Sequence, residues 1–216
     1  YVYTPKVQPD PEPTIDVPAM LTVFWERITD EQIAESALSL GVSSDSLLKL
    51  DIGYDPNSKA HTFPMRNADG DPIGIRLREP VTGRKWAIRG SRSGLFIPSI
   101  QFDIHGTLLI CEGPTDTAAM LTLGFQCIGR PFCRGGVADI VKFTNVLNSR
   151  VVIVADVDGP GVDGAHALAD ALVGRAVKVV KPRNAKDARE WLGNGVTREG
   201  VEAVIENTPL WQRKAA

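Results

Sequence analysis

The spacing of apolar positions changes twice along the chain. From about Ala19 to Leu50 they recur at helical intervals, and Thr29 with Gln32 forms a capping box for a helix closing at Gly41. Ser43, Ser44 and Asp45 offer N-caps for a short second helix reaching Leu50. From His61 to Pro98 the period falls to two. The runs His61–Arg66, Ile73–Arg78 and Trp86–Arg89 are punctuated by Asp69-Gly70 and Thr82-Gly83, which predicts an antiparallel meander. In its middle run Ile73, Ile75 and Leu77 share one face and Arg76 and Arg78 the other. The expected sheet has an apolar underside and a guanidinium-bearing top, with a merely solvated strand face as the alternative.

From Thr107 short apolar runs alternate with helix-period segments. Strands are expected at Leu108–Ile110, Phe125–Ile128, Val151–Ala155 and Val177–Val180. Helices are expected at Thr115–Leu123, Val137–Leu147, around Ala165–Leu172, and at Ala185–Leu192 and Arg198–Glu206. Strand–helix alternation with nearly all-apolar strands predicts a parallel sheet covered on both faces. The fold class is therefore α/β: a parallel sheet with helices on both faces, preceded by a small α+β subdomain carrying the antiparallel basic meander. The expected divisions are a proline-rich linker (1–18), the basic subdomain (19–103), the parallel-sheet domain (104–207) and a tail (208–216). The chain opens on Tyr1 inside the proline-rich stretch, which reads as a piece of a longer protein or a processed one.

Composition changes this picture in one respect. The chain has 216 residues, 43% hydrophobic and 23% charged, with a net charge of −2, an ordinary globular balance that does not announce a nucleic-acid binder. That sum hides segregation. Residues 1–55 carry ten acidic side chains against three basic, whereas residues 66–92 carry Arg66, Arg76, Arg78, Arg84, Lys85, Arg89 and Arg92 against three acids. A phosphate backbone reads that local field. Cys111, Cys127 and Cys133 lack C-x-x-C spacing and read as reduced thiols of a cytoplasmic protein, and no run is long enough to span a membrane.

In a parallel sheet ligands gather at the carboxyl ends of the strands. Two expected strands end in acids: one at Glu112-Gly113, with Asp116 following, the other at Asp156-Val-Asp158-Gly-Pro-Gly161. Asp156 and Asp158 are two apart and share a side of any extended backbone. Glu112 joins them if the two strands are neighbours. Three clustered acids repel one another, and a hard divalent cation, Mg²⁺ or Mn²⁺, is the usual remedy. Gly113 and Gly161 let backbone or phosphate approach closely. Three other motifs overlap the second cluster and fit poorly. The G-x-G-x-x-G at Gly159–Gly164 is preceded by acids where a pyrophosphate would sit. A phosphatase-type Asp-x-Asp motif is broken by Pro160, and a calcium loop from Asp156 ends on Ala167 where a glutamate is needed.

Glu112-Gly-x-x-Asp116 followed by Asp156-x-Asp158-x-x-Gly161 resembles the Toprim domain of bacterial-type primases, topoisomerases and some nucleases. Asn184-Ala-Lys186-Asp187 through Leu192 resembles the third acidic segment of such primases. Phe63–Arg66 and Gly90–Pro98 are similar to the basic subdomain of their catalytic core. The resemblance implies template-directed RNA primer synthesis on single-stranded DNA by two-metal nucleotidyl transfer. It implies Glu112, Asp156 and Asp158 as metal ligands, with Asp116 and Asp187 as further catalytic acids. It places the seven basic residues of the meander on the template, and Lys186, Gly113 and Gly161 near a ribonucleoside triphosphate. It also implies a zinc-binding module or replicative helicase as partners outside this chain. Where such primases carry a further acid, this chain has Arg189, which bears on a second metal site. A Toprim-type nuclease and a nucleic-acid-binding module with a degenerate site are the alternatives.

Overall fold

The computed structural model describes residues 13–147, 149–172 and 174–213. Most of the expected linker, residues 1–12, and the end of the tail, 214–216, lie outside the described residues. Helix α1 (Val17–Trp25) starts where Asp16 accepts the Ala19 amide at 3.0 Å, with Pro18 in the first turn, where its missing N–H leaves no bond unmade. Helix α2 (Asp30–Leu40) carries the complete Thr29/Gln32 capping box and ends on Gly41 at φ 70°. Ser43 caps the short α3 (Ser44–Lys49).

Four antiparallel strands follow in the order β1 (Gly53–Asp55), β2 (Ala60–Arg66), β3 (Pro72–Arg78) and β4 (Lys85–Ala87). The register sets His61 opposite Arg78 and Phe63 opposite Arg76, so each pair shares a face. On that face Phe63 and Met65 are buried with Ile33, Ala37 and Leu40 of α2 and Leu47 of α3. The other face packs Ile75 against Val17 and Phe24 of α1. The guanidinium-bearing side is thus not an open top, contrary to expectation. Strand β2 is buried from Ala60 to Met65, so both sheet faces need a cover, and Arg76 and Arg78 are left half-buried at the margin of one of them.

The second half alternates β5 (Thr107–Glu112), α4 (Gly113–Thr122), β6 (Gln126–Arg130), α5 (Val137–Asn145), β7 (Arg150–Val154), α6 (Gly159–Ala171), β8 (Val177–Val180), α7 (Ala188–Gly193) and α8 (Arg198–Asn207). Its strands are all parallel, ordered β6-β5-β7-β8. Leu109, Cys111, Val152 and Val154 face Met120 of α4, Trp191 of α7 and Ile205 of α8, while Leu108, Ile110, Val151 and Ile153 face Ile140 of α5 and Leu168 of α6. The first of these cores runs on without a break into Phe63 and Met65 of the meander half. A backbone bridge between Phe96 and Gly129 adds a second join. Gly129 has no room for a side chain, since a Cβ would lie 2.4 Å from Thr117 Oγ1 and 2.8 Å from the Gly113 carbonyl.

Cys111 and Cys127 are buried free thiols with their sulfurs 3.6 Å apart, and Cys133 is half-buried. Among the described residues no helix is long and apolar enough to cross a membrane.

Candidate active site

Strands β5 and β7 are neighbours, with Ile110 opposite Ile153, so Glu112 and Asp156 leave the same end of the sheet side by side. Gly113 turns the chain at φ 74°, a left-handed conformation that favours glycine, and α4 begins at once with Asp116 in its first turn. Asp158 caps α6 by accepting the Gly161 amide at 2.6 Å. A Cβ on Gly161 would come within 2.8 Å of both Asp156 Cβ and Asp158 Oδ1, so this turn excludes any other residue. The Val157 amide donates to the Lys186 carbonyl at 2.7 Å and ties the Asp156–Asp158 turn to the next loop. There Asp187 caps α7 through the Glu190 amide at 2.7 Å, and the Arg189 amide donates to Asp116 Oδ1 at 3.0 Å. All five predicted acids are drawn together.

Their electrostatics show the crowding. Burial pushes the Asp156 carboxyl up to about 7, and Asp116, Glu112, Asp187 and Asp158 each push the same way. Asp116 is raised to about 6, first by burial and then by Asp187, against relief from the Arg189 amide and from Lys85. Glu112 is raised by burial while Arg130, Lys85 and a hydrogen bond from the Cys133 backbone pull it down.

Sequence reasoning missed Arg130. It is 1% exposed, with Nη2 3.9 Å from Glu112 Oε2 and Nη1 donating to the Cys133 carbonyl at 2.5 Å. The strand expected to stop at Ile128 runs two residues further, which puts Arg130 directly opposite Glu112 in the β5–β6 register. An arginine just beyond an apolar run, at the end of the sheet where ligands gather, was the available signal.

The donor set fits a hard divalent ion. It is oxygen-only, it contains a buried acceptor, Glu112 Oε2, that no donor satisfies, and it carries more negative charge than its neighbours neutralise. Among the described residues no three such side chains already converge at ligating distance. Asp158 and Asp187 are turned onto the helix ends they cap, and Glu112 lies toward Arg130.

The seven predicted basic residues divide. Lys85 on β4 is close enough to Glu112 and Asp116 to favour their anions, and it sits opposite Arg78, whose guanidinium feels the Arg189 charge. Arg76 shares their face and is half-buried. Arg66 is committed elsewhere, to Asp51 at 2.7 Å and the Gly70 carbonyl at 2.9 Å. Arg84 lies over the Trp86 ring at 5.3 Å, and Trp86, opposite Leu77, faces away from the acids. Arg89 lines a groove of about 700 Å³ against α1, also on that far side. Arg92 follows β4, its amide bonded to Ile73. Lys186 is exposed beside Asp187, its amide donating to Glu190.

No protein-family model matches the chain, and no curated protein matches it. Solved structures do. The E. coli primase catalytic core aligns with a TM-score of 0.67 at 16% identity, over 90% of this chain and 79% of that one. This chain has the fold of a primase catalytic core. The Aquifex aeolicus primase, with its zinc-binding and RNA polymerase domains, aligns at TM-score 0.70 and 14% identity over 90% of this chain and 60% of that one. The bacteriophage T7 primase fragment gives 0.61 and 16% over 78% and 72%. The primase-core fold accounts for both halves, since each alignment to a bacterial core spans nine-tenths of the chain.

Proposed function

We propose that this chain is the polymerising core of a DNA primase, copying single-stranded DNA into short RNA primers from ribonucleoside triphosphates. The observation that carries the proposal is the gathering of Glu112, Asp156 and Asp158 at one end of the parallel sheet, within reach of Lys85 of the basic meander. The likeness of fold to solved primase cores, one of them bound to single-stranded DNA, supports it.

In this reading residues 19–103 grip the template and residues 104–207 do the chemistry. Glu112, Asp156 and Asp158 would hold Mg²⁺ or Mn²⁺, two ions in a full site, with Asp116 and Asp187 as outer carboxylates. Held by these carboxylates, the ions would supply activation of a primer 3′-hydroxyl and neutralisation of charge on the departing pyrophosphate. Lys85 and Arg78 hold template phosphates, so binding weakens steeply with salt. Gly113, with open space where a side chain would stand, leaves the backbone free to meet a triphosphate, Gly161 holds the Asp156–Asp158 turn beside it, and Lys186 meets the triphosphate's charge. The chain works in the cytoplasm beside a zinc-binding module and a helicase.

Incubation with single-stranded templates, ribonucleotides and Mn²⁺ tests this. Oligoribonucleotides lost in Asp156→Ala support the reading, and none on any template overturns it. A second reading, a nucleic-acid-binding module without catalysis, is favoured by Arg130 against Glu112 and by Arg189 where an acid is expected. It predicts DNA binding indifferent to chelators and to Asp156→Ala. A nuclease would instead nick plasmid DNA without nucleotides, and Glu112→Gln would abolish that.

A further inference from the structure

A guanidinium is almost never fully buried without an anion, because the charge loses its hydration and must regain it from a partner. Arg130 is 1% exposed, and the anion nearest it in the structure is Glu112. The pairing is incomplete. Nη2 and Glu112 Oε2 stand 3.9 Å apart, too far for a hydrogen bond, and each is a buried polar atom with no hydrogen-bond partner. The arrangement is also fixed. Arg130 is held at Nη1 by the Cys133 carbonyl, and the Cys133 backbone also favours the Glu112 anion, so one short turn lies beside both members of the pair. That turn is itself wedged in place, since the Cys133 carbonyl packs on Gly164 of α6 where no Cβ fits. Arg130 therefore has little freedom to withdraw.

We propose that Arg130 is a built-in counter-cation for Glu112 that competes with the divalent ion and sets how tightly the site loads metal. The inference rests on the metal-binding reading of the site given above. Without metal, Arg130 balances part of the acid cluster and keeps the half-buried carboxylate tolerable. When a divalent ion takes a Glu112 oxygen, it meets a fixed positive charge a few ångströms behind that oxygen, and the repulsion lowers its affinity. Arg130 is a positioning residue: it acts on the ion through Glu112 and does not touch substrate.

The test is Mn²⁺ binding to the full chain, followed by loss of the free-ion electron paramagnetic resonance signal, together with thermal unfolding in chelator. Removing the charge in Arg130→Met should tighten Mn²⁺ binding about tenfold or more, while Arg130→Lys, which keeps the charge, stays near wild type. In chelator Arg130→Met should melt lower than wild type, and by less when introduced into a Glu112→Gln background. A residue that only fills space would lower the melting temperature without tightening Mn²⁺. Arg130→Gln is a second charge-removing variant should the methionine not fold. Equal or weaker Mn²⁺ binding in the charge-free variants overturns the role of Arg130. Absence of Mn²⁺ binding in wild type and variants alike overturns the metal site itself, and the unfolding cycle then still reads whether Arg130 and Glu112 are coupled.

Discussion

The two halves bury ionisable groups to opposite effect. In the meander half His61 is buried against Ser36, and burial with the nearby Arg78 charge drives its pKa down to about 4, so it stays neutral. Other charges there find local partners, as Arg66 does in Asp51 and Arg84 on the Trp86 ring. In the parallel-sheet half like charges are concentrated instead, and Asp156 and Asp116 rise to about 7 and about 6. In the first half most charges are thus settled locally, with Arg76 and Arg78 half-buried at the sheet margin. The second carries an unbalanced cluster that a cation would relieve, which supports the site proposed there.

The sharpest way to break this contrast is to remove a charge from each half. Asp156→Ala should lower primer synthesis at least about a hundredfold, since several kcal/mol of charge stabilisation is lost. Arg66→Ala, by contrast, removes a guanidinium committed to Asp51 and should leave synthesis within a few-fold of wild type. Next in size, Lys85→Ala with Arg78→Ala should weaken single-stranded DNA binding and reduce its log–log salt slope by roughly 0.7 for each phosphate no longer neutralised. An unchanged slope would separate the meander from the template. Gly129→Ala inserts a methyl between Thr117 and the Gly113 carbonyl at the join of the halves, and should cost about 1–3 kcal/mol by denaturant unfolding.

The smallest effect is on pH dependence. Asp156 has a folded pKa raised from 3.8 to about 7, so its contribution to stability is full at low pH and is lost as pH rises through about 7. His61, lowered from 6.5 to about 4, contributes above 6.5 and loses that as pH falls toward 4. The halves therefore oppose each other between about pH 4 and 6.5. In chelator Asp156→Asn should leave the His61 trend less opposed and make the melting temperature fall more steeply on acidification. Parallel curves for the two proteins would contradict the assignment.

Much of the fold was legible because local signals agreed with it. The Thr29/Gln32 box, the Gly41 stop and the two-residue period of β2 and β3 each act over a few residues. Strand β1 was missed because three residues, Gly53–Asp55, are too few to show alternation. Helix α6 begins at Gly159, six residues before the apolar spacing declares it, because its start is set by the Asp158 cap and Pro160 rather than by core packing. Glu112, Asp156 and Asp158 were readable because strand ends announce them, Asp116 and Asp187 entered only through the resemblance to primases, and the adjacency of β5 and β7 had to be supplied by the structure. Which face of the meander lies open was not readable, because alternation gives two faces and not their covers. The partner of Glu112 was hidden for a similar reason: the pairing of Arg130 depends on a cross-strand register that no single strand encodes.

Primer synthesis on single-stranded DNA with ribonucleotides and Mn²⁺, run side by side for wild type and Asp156→Ala, tests the central claim most directly. Short RNA products from the wild type alone are the predicted result. Template binding that persists in chelator, with no RNA made by either protein, would contradict it.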